Sequence, residues 1–278
     1  MMAFALHNLA KPPRKLLKLL KGFPANPSPS KVHSLRTQAR RLEAVVDVVA
    51  PDGDKQAKRI LKVITPARKA AGAVRDMDVM IENAFDLSKH DPSGATVRLV
   101  EHLAMVREKQ ARKLHAVIRE QGKEMRRRLK RYAKLLQKRS VDDRSGTTEN
   151  SVAPQILSAE LAHWPKFNIK NLHEFRIRAK ELHYMLQLSP KPDERGMDAL
   201  DRVKVIIGDW HDWVELQKTA ERVLDSTTDK TVLKQIDSTA KRKSREALAS
   251  ANSLRKRDLG RIVHYAEETQ RHSKQRKH

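Results

Sequence analysis

Val32-His33-Ser34-Leu35-Arg36-Thr37-Gln38-Ala39-Arg40-Arg41-Leu42 returns 140 residues later as Leu172-His173-Glu174-Phe175-Arg176-Ile177-Arg178-Ala179-Lys180-Glu181-Leu182. Both stretches read apolar, His, any, apolar, Arg, any, any, Ala, cation, any, Leu. The apolar positions recur at three and four residues, which predicts an amphipathic helix in each copy. The offset is too long for a stacked solenoid unit, so it points to two similar halves. At about 100° per residue, His33, Arg36 and Arg40 fall within a strip of roughly 60°. His173, Arg176 and Lys180 do the same. Each motif helix therefore carries a cationic edge beside its core-facing side, where a bound anion meets charges only partly screened by water. Arginine suits phosphate there, because its planar fork grips two oxygens.

A second repeat lies downstream of the first. Arg68-Lys69-Ala70-Ala71-Gly72-Ala73-Val74-Arg75-Asp76 aligns with Lys204-Val205-Ile206-Ile207-Gly208-Asp209-Trp210-His211-Asp212, at an offset of 136. Two motifs in the same order at nearly the same offset support a duplicated chain. Arg68 and Arg75 share a helix face, as do Lys204 and His211. Gly72 and Gly208 cost helix propensity, so close helix–helix approach is the expected reason for them. Asp76 and Asp212 are matched acids. One reading makes Asp76 a metal ligand with Asp78; the simpler one has each Asp orient a neighbouring Arg or His, or cap a backbone.

The same three-and-four spacing runs through the rest of the chain, and no stretch alternates long enough to make a strand. The fold class is read as all-α. The first half runs short helix (Pro13 to Gly22), motif helix (Ser30, its N-cap, to Val49), third helix (Asp54 to Ser88) and long basic helix (Ala95 to Arg139). Turns are expected at Pro51-Asp52-Gly53 and at Asp91 to Gly94. The second half repeats the order over Val152 to His163, Ile169 to Leu188, Arg195 to Leu224 and Lys230 to Gln270, with turns at Trp164-Pro165 and Pro190 to Pro192. Residues 1–140 and 151–278 form the halves, 141–150 the linker, and Arg271 to His278 a frayed basic tail.

Composition sets the partner class. Lys plus Arg is 58 against 34 for Asp plus Glu, a net charge of +24 over 278 residues. Self-repulsion of that size suggests a polyanionic partner: nucleic acid, inorganic polyphosphate or an anionic membrane surface. Aromatics are only 4%, which argues against single-strand binding by base stacking. There is no cysteine, so disulfides and thiolate metal sites are excluded and an intracellular location is compatible. No apolar run approaches the roughly 20 residues of a membrane span. Met1 to Leu9 does not read as a secretory segment, and Arg14 to Lys21 resembles a transit peptide only weakly. The run Arg126-Arg127-Arg128 with Lys130 and Arg131 is either a solvated face or an extension of an anion track. Twelve histidines show no metal-ligand spacing, and neither a phosphate-cradling Gly-rich loop nor a nucleophile constellation is present.

The two His-x-x-Arg-x-x-x-cation helices, with Gly72-x-x-Arg75-Asp76-x-Asp78-Val79, resemble the CHAD domain, the conserved histidine α-helical domain, over about residues 10 to 270. The resemblance implies two four-helix bundles related by pseudo-twofold symmetry, with a basic central groove that binds inorganic polyphosphate. It implies that His33, Arg36, Arg40 and Arg75 line the groove from one half, and His173, Arg176 and Lys180 from the other. Arg41, Arg68, Arg178 and Lys204 are second-rank candidates. Glu43 and His183 stand where the family often has Arg. The chain looks like the stand-alone form, without an N-terminal triphosphate-tunnel (CYTH) domain.

The expectation is a non-catalytic polyphosphate-binding protein with no cofactor and no metal, residing in the cytoplasm, at polyphosphate granules where these exist. A nucleic-acid-binding protein is the alternative. A metal-dependent polyphosphate hydrolase using Asp76, Asp78 and Asp212 ranks third, because such enzymes gather several carboxylates and the matched positions here are mostly cations.

Overall fold

The computed structural model describes residues 2–50, 55–88, 91–142, 148–151, 153–189 and 193–259. The turns at Pro51 to Gly53 and Pro190 to Pro192, the centre of the linker and the basic tail lie outside them. The described chain is all-α but for two four-residue strands, which the sequence reading did not expect. β1 (Met2–Ala5) pairs antiparallel with β2 (Thr148–Ser151), Met2 opposite Ser151. Strands this short, one of them wholly polar, carry no readable period.

The helices are α1 (Leu6–Leu9), α2 (Lys11–Leu20), α3 (Pro29–Val49), α4 (Lys55–Ser88) and α5 (Ala95–Asp142), followed by α6 (Ala153–Ala162), α7 (Leu172–Leu186), α8 (Glu194–Val223) and α9 (Lys230–Arg257). α3 starts earlier than expected. Ser28, not Ser30, is its N-cap, accepting a hydrogen bond from the Lys31 backbone N–H at 3.4 Å. Pro29 takes the first helical position, where its missing N–H costs nothing. α7 starts later than expected, at Leu172. The Asn171 carboxamide oxygen accepts from the Asn168 N–H (3.0 Å) and that of Asn168 from the Lys170 N–H (2.8 Å), so the two side chains hold a turn in front of the helix.

α2, α3, α4 and α5 pack in a ring, each against the next and α5 back against α2. α6, α7, α8 and α9 close a second ring in the same order. The rings meet through α3 on α7 and α4 on α8. Two apolar clusters hold them together, and both draw side chains from both halves. The larger joins Leu35, Leu42, Leu114 and Met125 to Phe175, Leu182, Leu200 and Leu254. The smaller joins Met80, Ala84, Leu99 and Leu103 to Trp213, Leu216, Val232 and Ile236. Along α4 the first cluster ends at Val74 and the second begins at Met80; along α8 the same handover falls between Trp210 and Trp213. Polar residues near that junction open onto a cleft.

Candidate anion-binding cleft

α3, α4, α7 and α8 enclose a cleft of about 1070 Å3. Its walls carry His33, Arg36, Arg40, Arg41, Arg68 and Arg75 from the first half, and His173, Arg176, Lys180 and Lys204 from the second. All the anion-binding candidates named from the sequence are there except Arg178. That guanidinium donates to Glu181 Oε2 at 2.7 Å and to both carboxylate oxygens of Glu160, Nε to Oε1 at 3.0 Å and Nη2 to Oε2. Its charge is spent on Glu160, outside the cleft walls, and on Glu181 at their edge. Asp78 is also absent from the walls. It is buried and accepts from Arg107 Nε at 2.7 Å, while Arg107 Nη2 reaches the Pro27 carbonyl at 2.7 Å. Asp78 thus ties α4 to α5 and to the Pro-rich loop, and is no partner for Asp76 on a metal.

The two glycines have a more specific role than helix–helix approach. A Cβ on Gly208 would lie 2.6 Å from Arg176 Nη2, and one on Gly72 would lie 3.6 Å from Arg36 Nε. Each glycine leaves a shelf on the third helix of its half, and the motif arginine of that half lies across it. Arg176 Nε also donates to the Lys204 carbonyl at 3.4 Å. Beside the arginines stand Asp76 and Asp212. The protein packed around Asp212 strips water from its carboxyl and pushes its pKa up to about 6, against the pull of Arg176. Asp76 shifts the same way for the same reason, although its side chain still touches water in the cleft. Asp76 is itself among the charges felt by Asp212. The acids therefore sit as counter-charges in a cluster of cations.

The cations feel the crowding in the opposite sense. Desolvation, then Arg176, Arg36 and Arg40, push the Lys180 ammonium down to about 6. The Arg176 guanidinium is lowered as well, first by desolvation. His33 is lowered by loss of water and then by Arg75, His173 by loss of water and then by Arg176. The His173 ring lies 4.3 Å from that of His211, tilted by 48°, and desolvation and His173 hold the His211 pKa down at about 4.

Ion pairs occupy the periphery. Glu43 lies 2.5 Å from Arg68 Nε and 3.2 Å from Arg40 Nη1. Lys204 is paired with Asp201, which also stands 3.6 Å from His183 Nε2. Where α3 crosses α7, Arg41 Nε donates to Gln187 Oε1 at 3.2 Å. Asp47 there is pushed up to about 6 by burial, then by Glu181 and Glu43. Arg41 with Gln187 and Asp47 with Glu181 are one pair of positions exchanged between the halves.

A protein-family model, CHAD domain, matches residues 9–221. The chain belongs to the CHAD domain family. The matched span ends before α9, short of the residue 270 expected from the motifs. The crystal structure of the CHAD domain from the plant Ricinus communis is similar at a TM-score of 0.56 and 17% identity, covering 96% of this chain and 92% of that one. That likeness shows the fold. No curated protein matches the chain.

Within this CHAD domain, sequence reasoning passed over Lys69, Asp47, Tyr184 and Gln187, which also line the cleft. Tyr184 continues the Arg176, Lys180 spacing of four, so the helix period held a signal for it. Asp47 and Gln187 come in through the crossing of α3 and α7, which no local pattern encodes. Among the described residues, no three histidine or acidic side chains converge as metal ligands, and no helix is long and apolar enough to cross a membrane.

Proposed function

We propose that this CHAD domain binds inorganic polyphosphate in the cleft and does not turn it over. The observation that carries this is the central arginine pair, Arg36 and Arg176, each laid over a glycine shelf and flanked by His33, Arg75, His173 and Lys180. A condensed phosphate chain offers one oxyanion after another to such donors, and each charge-assisted contact contributes about 1.5–3 kcal/mol. Asp76 and Asp212 would meet the ligand's neighbours rather than the ligand, keeping the arginines in place while the cleft is empty.

The test is titration with long-chain polyphosphate at several salt concentrations. Released counterions should make log affinity fall linearly with log salt. The Arg36→Ala, Arg176→Ala double variant should lose at least about a hundredfold in affinity, the equivalent of roughly 3 kcal/mol. Replacing the exposed Lys230 and Lys234 with Ala should change it less than about threefold. Equal losses from both would mean that net charge alone is read. Orthophosphate released with magnesium or manganese, and abolished by Asp76→Asn, would replace binding by hydrolysis.

A further inference from the structure

We propose that the outer face of α5 is a second binding surface, separate from the cleft, for the phosphate backbones of duplex nucleic acid. α5 turns Leu103, Leu114, Ile118, Met125, Leu129 and Leu136 into the core, all of them buried. On the opposite side Arg112, Arg119, Lys123, Arg126, Lys130 and Lys134 are exposed. At about 100° per residue they fall in an arc of roughly 80°. With a rise of 1.5 Å per residue, the stripe extends about 33 Å. No acid falls within this arc between Arg112 and Lys134. Only Arg112 makes an ion pair among the six, with Glu108 at 3.2 Å. No residue of α5 lines the cleft.

The long helix of the second half is built otherwise, although it is equally rich in cations. On α9 Lys241 pairs with Asp237 at 2.8 Å, Arg242 with Glu246 at 2.7 Å, and Lys243 with Asp209 of α8 at 2.6 Å. A basic helix that only needs solubility can neutralise itself in this way. On α5, Glu124 takes Arg127 and Arg128 and Glu108 takes Arg112, but the other five cations of the stripe carry no ion pair.

Three features select the partner. The stripe is about as long as one turn of B-form duplex, roughly 34 Å. Lys109, Lys113 and Arg131 widen the arc to about 140°, which also takes in one acid, Glu120, on a helix roughly 10–12 Å across, so cations outnumber acids toward both phosphate walls of a major groove about 12 Å wide. Between Lys109 and Lys134 the stripe has no aromatic side chain to stack on unpaired bases, and the arc's one large exposed apolar side chain, Met105, lies a turn before it and is too little to enter a bilayer.

The experiment titrates a mixed-sequence duplex of about two helical turns, by fluorescence anisotropy, between about 50 and 200 mM salt. The variant is Lys123→Gln, Arg126→Gln, Lys130→Gln, Lys134→Gln, checked by circular dichroism and melting. It should lower the salt slope for duplex by about 3 to 4, near 0.9 per phosphate contact, and leave polyphosphate affinity within twofold. The Arg36→Ala, Arg176→Ala variant should do the reverse. No duplex binding by the native chain at the lowest salt would overturn the proposal. So would duplex binding lost only in the cleft variant, or an α5 effect confined to phosphatidylserine vesicles or to polyphosphate.

Discussion

The two walls of the cleft share one plan and differ in how permanent their charge is. Arg36 and Arg176 are the same residue in the same place, each over its glycine beside Asp76 and Asp212. Around that centre the halves diverge. The first wall presents Arg40, Arg68 and Arg75 where the second presents Lys180, Lys204 and His211. Guanidinium stays charged at any working pH, whereas crowding holds Lys180 near 6 and His211 near 4. The halves share the packing of an arginine on a helix backbone and differ in the charges around it. These flanking cations of the first wall are all guanidinium; on the second, Lys180 and His211 beside Arg176 gain their charge only when protons are supplied.

The largest effect should come from weighing the walls against each other. At pH 8, Arg36→Ala, Arg40→Ala, Arg75→Ala should weaken polyphosphate binding about a hundredfold more than Arg176→Ala, Lys180→Ala, His211→Ala, because Lys180 and His211 are uncharged there and only Arg176 contributes charge to the second set. The gap should narrow as pH falls. A polyanion favours the protonated form and so raises these pKa values in the complex. Affinity then rises as pH drops through the window between the free and the bound values, by up to about tenfold per pH unit for each proton taken up. For Lys180 the window closes at its free value of about 6; for His211 it extends to about 4. Lys180→Arg should flatten the profile between pH 8 and 6. A first-wall triple variant that loses no more than the second at pH 8 would erase the distinction.

A smaller effect should separate the glycines. Gly208→Ala forces the guanidinium of Arg176 to move, since a Cβ would stand 2.6 Å from it, while at Gly72 the 3.6 Å spacing leaves room. Gly208→Ala should cost about fivefold to tenfold in affinity, near 1 kcal/mol. Gly72→Ala should bind as the native chain does and melt a few degrees higher, gaining about 0.8–1 kcal/mol of helix propensity. Calorimetric titration and thermal melts read both. The smallest change should follow Glu43→Gln, which frees Arg40 and Arg68 from their shared carboxylate. A gain of about twofold to fivefold in affinity is expected, and the counterpart His183→Gln should do less at pH 8. A loss at Glu43→Gln would mean that the carboxylate positions those arginines instead of competing for them.

Much of this was legible in the sequence, because helical period and repetition are local signals. The all-α class and the two motif helices follow from residues three and four apart. The candidate cations follow from their matched offsets. Arg178 is a second-rank candidate outside the strip, and Glu160, 18 residues away in the chain, takes it. The glycine shelves look like ordinary packing glycines until the arginine across each is seen. The β1–β2 pairing joins residues too far apart, over strands too short, for any pattern to announce it. The unequal walls were half visible, since Arg75 and His211 align, but their pKa values depend on burial that only the assembled cleft creates.

Both apolar clusters take side chains from beyond residue 200. During synthesis, therefore, the first half emerges from the ribosome with Leu, Ala and Met faces that nothing yet covers, and with its arginines facing open water. Exposed apolar surface on a partly made chain is what chaperones bind and aggregation exploits. The cleft comes into being only when α8 has arrived, late in translation, so a truncated product is not half a binding protein but an unfinished core.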